Sequence, residues 1–280
     1  MNVWAPFSPC TTACVSRVTP RAPFSVASRR FASVTRVLAA LPRGGRLTDP
    51  DVLQARAKAM LDALDVRLDA SAERLSVPGP VGTLVVANHI SWLDILVLLA
   101  VEPVTMLAKR EVAGWPFIGT AAGRAGTRFI DRDSLYALPA AVDDLAALLR
   151  SGRSVMAFPE GTTRCSGTGG TLRRAVFQAA VDAAAPIRPA TLSYLRHDRP
   201  TTIAAYVGDD TFAASFRRVL TTDALTARLL LHPPIHPRPG ADDRRALAAR
   251  AQSAIRLPPA PPGRHVSRSH RGRLHPPNGG

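Results

Sequence analysis

The chain is poor in cysteine, has no acid at either end and contains no long apolar run. Its three cysteines, Cys10, Cys14 and Cys165, give neither an even disulfide framework nor a paired C-x-x-C zinc pattern, so nothing points to an oxidising compartment. No stretch reaches the about 20 apolar residues that cross a bilayer as a helix. The longest candidate, residues 84–101, is interrupted by Asn88, His89, Ser91 and Asp94. The beginning lacks a charged start followed by a continuous apolar run, which argues against a secretory signal; its Arg- and Ser-rich, acid-free composition is shared with transit peptides. G-x-x-x-x-G-K-[ST], G-x-S-x-G and RNA-binding signatures are all missing.

Where acid is missing matters more than the formal charge of +15. Residues 1–48 carry seven arginines and residues 256–280 carry five, both without acid, so twelve of the fifteen charges lie at the ends. The small remainder in the middle, without basic-aromatic faces, argues against a nucleic-acid partner. A basic end with interspersed apolar residues, as in residues 23–31, suits an anionic membrane surface as well as a solvated tail.

The 46% apolar content supplies ample core, and punctuation along the chain divides it into three parts. Residues 1–48, with Pro20, Pro23, Pro42, Gly44 and Gly45, are expected to be poorly ordered or to lie on a membrane. Residues 49–256 are expected to form the folded domain, and residues 257–280, rich in Pro and Arg, a disordered tail. Within the domain, Met60, Leu61, Leu64 and Leu68 predict an amphipathic helix over residues 51–70. Strands are predicted at 83–87, 104–107, 128–130, 154–158, 187–193, 203–207 and 227–232. Helices are predicted at 94–100, 135–149 with Ser134 as N-cap and Gly152 as stop, 175–184 and 242–256. Such alternation describes one α/β domain with a mostly parallel mixed sheet flanked by helices. In these sheets functional groups gather where strands end and helices begin.

Three segments at such positions carry chemistry. Asn88 to Asp94 follows the strand at 83–87, and its His89 and Asp94 are five residues apart. A turn into helix would bring them together, and a carboxylate on one ring nitrogen makes the other a better base. Taken alone, the spacing favours a satisfied structural histidine over a catalytic one. Phe158 to Arg164 ends another apolar strand; Gly161 permits close approach of a ligand, Thr162 and Thr163 offer hydroxyls, and Arg164 offers a planar cationic fork for phosphate. Glu160 beside it would repel a phosphate unless it orients an arginine or meets a hydroxyl. Lys109 and Arg132, each at a predicted strand end, are ordinary surface charges unless they face the same opening.

In combination these strings resemble a known family. NHISWLD, FIDR and FPEGTTR, in that order, look like the first three motifs of the glycerolipid acyltransferases, which include lysophosphatidic acid acyltransferases, and Pro186 to Ala190 is similar to the fourth. The resemblance implies a glycerol-3-phosphate acyltransferase-like fold and an O-acyltransferase. It makes His89 the base that deprotonates the acceptor hydroxyl, Asp94 its orienting carboxylate, and Arg132 the phosphate ligand. Glu160 and Gly161 would complete the acceptor site, with Thr162, Arg164 and Lys109 as further binding candidates. Pro189 matches the last motif, although Arg188 interrupts its usual apolar run.

A thioester needs no enzyme nucleophile, so the missing serine elbow is expected, as is the need for no metal or cofactor beyond acyl-CoA or acyl carrier protein as co-substrate. The implied acceptor is 1-acyl-sn-glycerol-3-phosphate, giving phosphatidic acid. A lyso-aminolipid such as lyso-ornithine lipid under the same chemistry, or a catalytically silent lipid-binding protein, are the alternatives. Attachment is expected to be peripheral or monotopic, on the cytoplasmic face of a membrane, through the basic end and the helix at 51–70.

Overall fold

The computed structural model describes residues 7–17, 21–40, 45–114, 118–130, 137–166, 170–238 and 240–256. The strands are β1 (Val66–Ala70), β2 (Leu84–Ala87), β3 (Thr105–Lys109), β4 (Arg128–Ile130), β5 (Val155–Ala157), β6 (Ile187–Arg196), β7 (Arg199–Pro200) and β8 (Leu225–Leu231). The helices are α1 (Phe24–Ala39), α2 (Pro50–Ala63), α3 (Leu93–Val101), α4 (Ile118–Arg124), α5 (Leu138–Arg150), α6 (Ala175–Asp182), α7 (Phe212–Leu220) and α8 (Arg244–Arg256).

The strands form one sheet in the order β1-β8-β6-β2-β5-β3-β4, with β7 beside β6. From β6 through β2, β5 and β3 to β4 every pairing is parallel; β8 runs antiparallel to β6 and parallel to β1. The central strand β2 is buried along its whole length, as a strand covered on both faces must be. Its side chains alternate between two cores. Val85 and Ala87 join Leu61, Leu93, Leu98, Leu192 and Leu229 on one face, while Leu84 and Val86 join Leu149, Phe177 and Leu247 on the other. Because β2, β5, β3 and β4 are parallel, their C-terminal ends share one edge of the sheet. The motif segments begin there.

Several expectations change. The helix predicted over 51–70 is two elements: Asp49 caps α2 by accepting from the Asp51 and Val52 N–H groups at 3.0 and 3.4 Å, and Asp65 at φ 56° turns the chain into β1. Residues 203–207 are not a strand. Ile203, Ala204, Ala205 and Val207 are buried, but the carbonyls of Ile203 and Ala205 accept from the Arg218 guanidinium, both at 2.7 Å, in place of a sheet ladder. Residues 24–39, inside the segment expected to be poorly ordered, form α1. Pro23 precedes its first turn, and buried Arg30 ties it down by donating to the Leu220 and Thr222 carbonyls at 3.0 and 2.6 Å and to Asp65. Ser134 and residues 257–280 lie outside the described residues, whereas Gly152 ends α5 with φ 82° as anticipated.

Candidate active site

The chain leaves β2 at Ala87 and turns through Asn88 to Trp92 before α3 begins. Asn88 fastens the turn to β6, donating to the Leu192 carbonyl at 3.0 Å and accepting from its N–H at 2.8 Å. Asp94, in the first turn of α3, is fully buried and surrounded by donors. Its Oδ2 meets His89 Nδ1 at 2.8 Å and accepts from the Ile90 and Ser91 N–H groups at 2.7 and 2.9 Å, while Oδ1 accepts from the Tyr194 hydroxyl at 2.6 Å. Asp94 accepts throughout: two of these partners are backbone N–H groups, which can only donate, and the Tyr194 hydroxyl donates as well, so His89 Nδ1 carries its proton towards Asp94 and leaves Nε2 with a lone pair. The His89 ring lies flat on Phe158, with centroids 3.9 Å apart and planes 12° from parallel. It retains some exposure, its side chain being 20% accessible.

Phe158 begins the second segment, just beyond β5. Gly161 takes φ 75°, a left-handed turn that glycine adopts without strain. The turn brings the Arg164 N–H onto the His89 carbonyl at 2.8 Å, joining the two segments through their backbones. Thr163 donates to the Tyr206 carbonyl, and Tyr206 N–H in turn reaches the Ile90 carbonyl at 2.9 Å. Thr162 is half-buried in the same turn.

Glu160 points into the interior. Its Oε1 accepts from the Gly170 N–H at 3.1 Å, and a Cβ on Gly170 would stand 2.4 Å from that carboxylate. Oε2 faces Arg164 Nε at 3.8 Å, too far for a hydrogen bond, and both atoms are buried without a hydrogen-bond partner among the described residues. Burial pushes the Glu160 carboxyl above its ordinary value, against the opposing pull of Arg164, the Gly170 N–H, His89 and Arg256. The Gly170 loop is itself held by α8, whose Gln252 and Arg256 donate to the Gly170 carbonyl at 2.8 and 3.1 Å.

The acyltransferase family model matches residues 73–193, which contain both segments. A lyso-ornithine lipid O-acyltransferase of Pseudomonas aeruginosa is 38% identical over 172 residues, covering 61% of this chain and 66% of that protein. A 1-acyl-sn-glycerol-3-phosphate acyltransferase of Neisseria meningitidis serogroup B is 34% identical over 173 residues, covering 61% of this chain and 67% of that protein. The chain belongs to the acyltransferase family. The match spans about two thirds of the length of these curated relatives. The crystal structure of the 1-acyl-sn-glycerophosphate acyltransferase from Thermotoga maritima superimposes with a TM-score of 0.60 at 18% identity, covering 83% of this chain and 92% of that one, and shows the same α/β fold.

Among the residues singled out in sequence, this acyltransferase brings His89, Asp94, Glu160, Gly161, Thr162 and Arg164 into two adjoining turns. Lys109 ends β3, paired with Ile130 of β4, and Arg132 lies outside the described residues. Tyr194, Phe158 and Gly170 were not anticipated. Tyr194 shares the inward face of β6 with Ala190 and Leu192, an alternation readable in the sequence, but only pairing across the sheet shows that it meets Asp94. Burial, and then the charge of Asp94, raise its hydroxyl well above the ordinary tyrosine value, so it remains a donor. Arg188, the departure in the fourth motif, donates to the His232 carbonyl at 3.1 Å, and burial lowers its ordinary value.

Proposed function

We propose that this acyltransferase moves a fatty acyl group from a thioester to the free hydroxyl of a lysolipid, with His89 as general base. The observation that carries the reading is the donor-saturated Asp94, which holds His89 with Nε2 available. Nε2 takes the proton of the acceptor hydroxyl as its oxygen attacks the thioester carbonyl. The imidazolium, stabilised by Asp94, then returns that proton to the departing thiolate. No enzyme nucleophile is needed.

The unpartnered Arg164 Nε and the buried Glu160 suit an acceptor with an anionic headgroup and a hydroxyl. 1-Acyl-sn-glycerol-3-phosphate fits that description, giving phosphatidic acid, and Arg132 would add a second cation. A lyso-ornithine lipid is the second reading, favoured by the 38% identity to an enzyme named for that substrate. The donor is acyl-CoA or acyl carrier protein.

The acceptor arrives from a lipid surface. No described helix is long and apolar enough to cross a membrane. Instead Phe24, Phe31 and Leu38 repeat every seven residues along α1 and are exposed, with exposed Arg29 and Arg36 beside them. α1 packs on α2 and α7. From α7, exposed Phe212 stacks with Phe216, and both meet Trp92, three residues beyond His89. Exposed apolar and basic side chains on α1, and the aromatic cluster of α7 beside the proposed catalytic turn, support peripheral attachment to a membrane, which we assign to its cytoplasmic face.

Purified protein incubated with labelled acyl-CoA or acyl carrier protein and a panel of lysolipids tests these assignments. Transfer to lysophosphatidate by the parent chain, lost in His89→Ala, is expected. Transfer only to lyso-ornithine lipid would establish the second acceptor, and equal transfer by both proteins would overturn the role of His89.

A further inference from the structure

All three cysteines of the chain meet beside the Glu160 turn, although 151 residues separate Cys14 from Cys165. Cys10 lies two residues before a short 3-10 turn, Thr12–Cys14, that Cys14 ends, and Cys165 follows Arg164 directly. The Sγ atoms lie within 4.8 Å of one another, and Cys10 and Cys165 are 3.4 Å apart. Cys10 and Cys165 are half-buried, while Cys14 faces solvent.

We propose that these three thiols form a binding site for one soft divalent metal ion of the zinc class. Four observations carry the assignment. A disulfide would use two of the sulfurs and leave the convergence of the third without cause. Tetrahedral zinc with Zn–S bonds of about 2.3 Å sets its sulfurs about 3.8 Å apart, within the range these sulfurs already occupy. The C-x-x-x-C spacing of Cys10 and Cys14 is one that zinc sites use for a ligand pair on a single turn. The Cys165 N–H points at Cys10 Sγ from 3.4 Å, so a backbone donor is in place at that sulfur, with Arg164 directly before Cys165 on the same turn. On binding, three S–H bonds give way to three S–metal bonds, and three protons leave to solvent. The exposed side by Cys14 admits water as the fourth ligand.

The ion would fasten residues 7–16 across the catalytic turn. That segment is also held by polar contacts: Arg164 Nη2 donates to the Phe7 carbonyl at 3.3 Å, the Ser16 N–H and hydroxyl meet Thr202 Oγ1 at 2.9 and 2.8 Å, Thr202 donates to the Cys14 carbonyl at 2.8 Å, and Thr12 reaches Asp209 at 3.4 Å. These contacts reach the loop whose Tyr206 supports both Thr163 and Ile90, so metal loading sets how firmly the site is covered.

The test uses the full chain, reduced, stripped with a chelator and titrated anaerobically with Co²⁺ as the spectroscopic probe. A thiolate-to-cobalt charge-transfer band that saturates at one ion per chain and is displaced by Zn²⁺ is expected. Cys14→Ser and Cys165→Ser should each lose most of the band. Cys14 is exposed, so Cys14→Ser keeps its fold, which far-UV circular dichroism verifies. A parent chain that gives no thiolate band overturns the proposal, as does a band that survives Cys165→Ser. Mild oxidation that links Cys10 to Cys165 quantitatively in a chain unable to bind Co²⁺ would assign the cluster to disulfide chemistry instead.

Discussion

The turn around Asp94 and the turn around Glu160 are both buried, both built at the end of a parallel strand, and joined by one backbone hydrogen bond. They differ in how completely their charges are met. Asp94 has a donor for every contact it makes, whereas Glu160 Oε2 and Arg164 Nε face each other across 3.8 Å without a hydrogen bond. A buried polar group without a partner is costly, and a fully satisfied one is rigid. The first turn is therefore preorganised, as the general base of the proposed reaction would have to be. The second holds a donor and an acceptor without hydrogen-bond partners among the described residues, which on the proposed reading a headgroup would meet.

This contrast is most exposed to Asp94→Asn. An amide there presents N–H₂ to a cluster of N–H and O–H donors, removing the acceptor that fixes His89. Transfer should fall by roughly a hundred- to ten-thousand-fold in kcat, with KM for the lysolipid little changed. A large rise in KM at constant kcat would place Asp94 in binding and erase the distinction. Arg164→Ala should give the opposite split. KM for an anionic acceptor rises about 10- to 100-fold, the worth of a charge-assisted hydrogen bond, while kcat at saturation changes less. Arg164→Lys, which restores charge without the planar fork, should recover only part of the loss.

The contact between His89 and Asp94 was legible in sequence because it depends on local geometry: an apolar strand ends at Ala87, a helix starts at Leu93, and five residues bring His89 to Asp94. Tyr194 and Gly170 were not, because their positions are set by pairing between segments 100 and 10 residues from the groups they touch. The cysteine cluster is the extreme case, since the short spacing of Cys10 and Cys14 gives no hint of Cys165. The fold shows the same division. Central strands β2, β5 and β6 were readable as apolar runs bounded by turns. The helix over 51–70 was overextended because Leu68 continues a helical period, and the break falls at the left-handed Asp65, a residue type that tolerates that conformation but is also common on helix surfaces. Residues 203–207 showed burial that resembles a strand, but Arg218 takes the carbonyls a neighbouring strand would have used. The arginine- and proline-rich start read as poorly ordered or membrane-bound; the sequence did not reveal that Arg30 of α1 donates to Leu220, Thr222 and Asp65.

Gly170→Ala addresses the comparison through packing. The added methyl would meet the Glu160 carboxylate at 2.4 Å, so either the loop held by Gln252 and Arg256 shifts or Glu160 does. Overpacking of this kind costs about 1–3 kcal/mol, readable as a lower denaturation midpoint. Displacement of Glu160 should also raise KM for the acceptor, with the His89 turn and kcat largely spared. An unchanged KM would separate Glu160 from acceptor binding.

The smallest effect concerns Glu160 itself and follows from the sign of its shift. Burial raises its carboxyl in the folded state, so the protonated form is favoured by folding: its contribution is fully present below the ordinary carboxylate value and is lost as pH rises through the raised value. Glu160→Gln cannot ionise and should match the parent in Tm at acid pH, then become the more stable of the two as pH rises from the ordinary carboxylate value through the raised one, with a constant difference above it. Parent and Glu160→Gln curves that stay parallel from pH 4 to pH 8 would mean that Arg164 already compensates the carboxylate in the free enzyme. The two turns would then differ in geometry alone. A Gln variant that gains stability towards neutral pH while losing affinity for the acceptor would show that the unmet charge is kept for binding, at the expense of the fold.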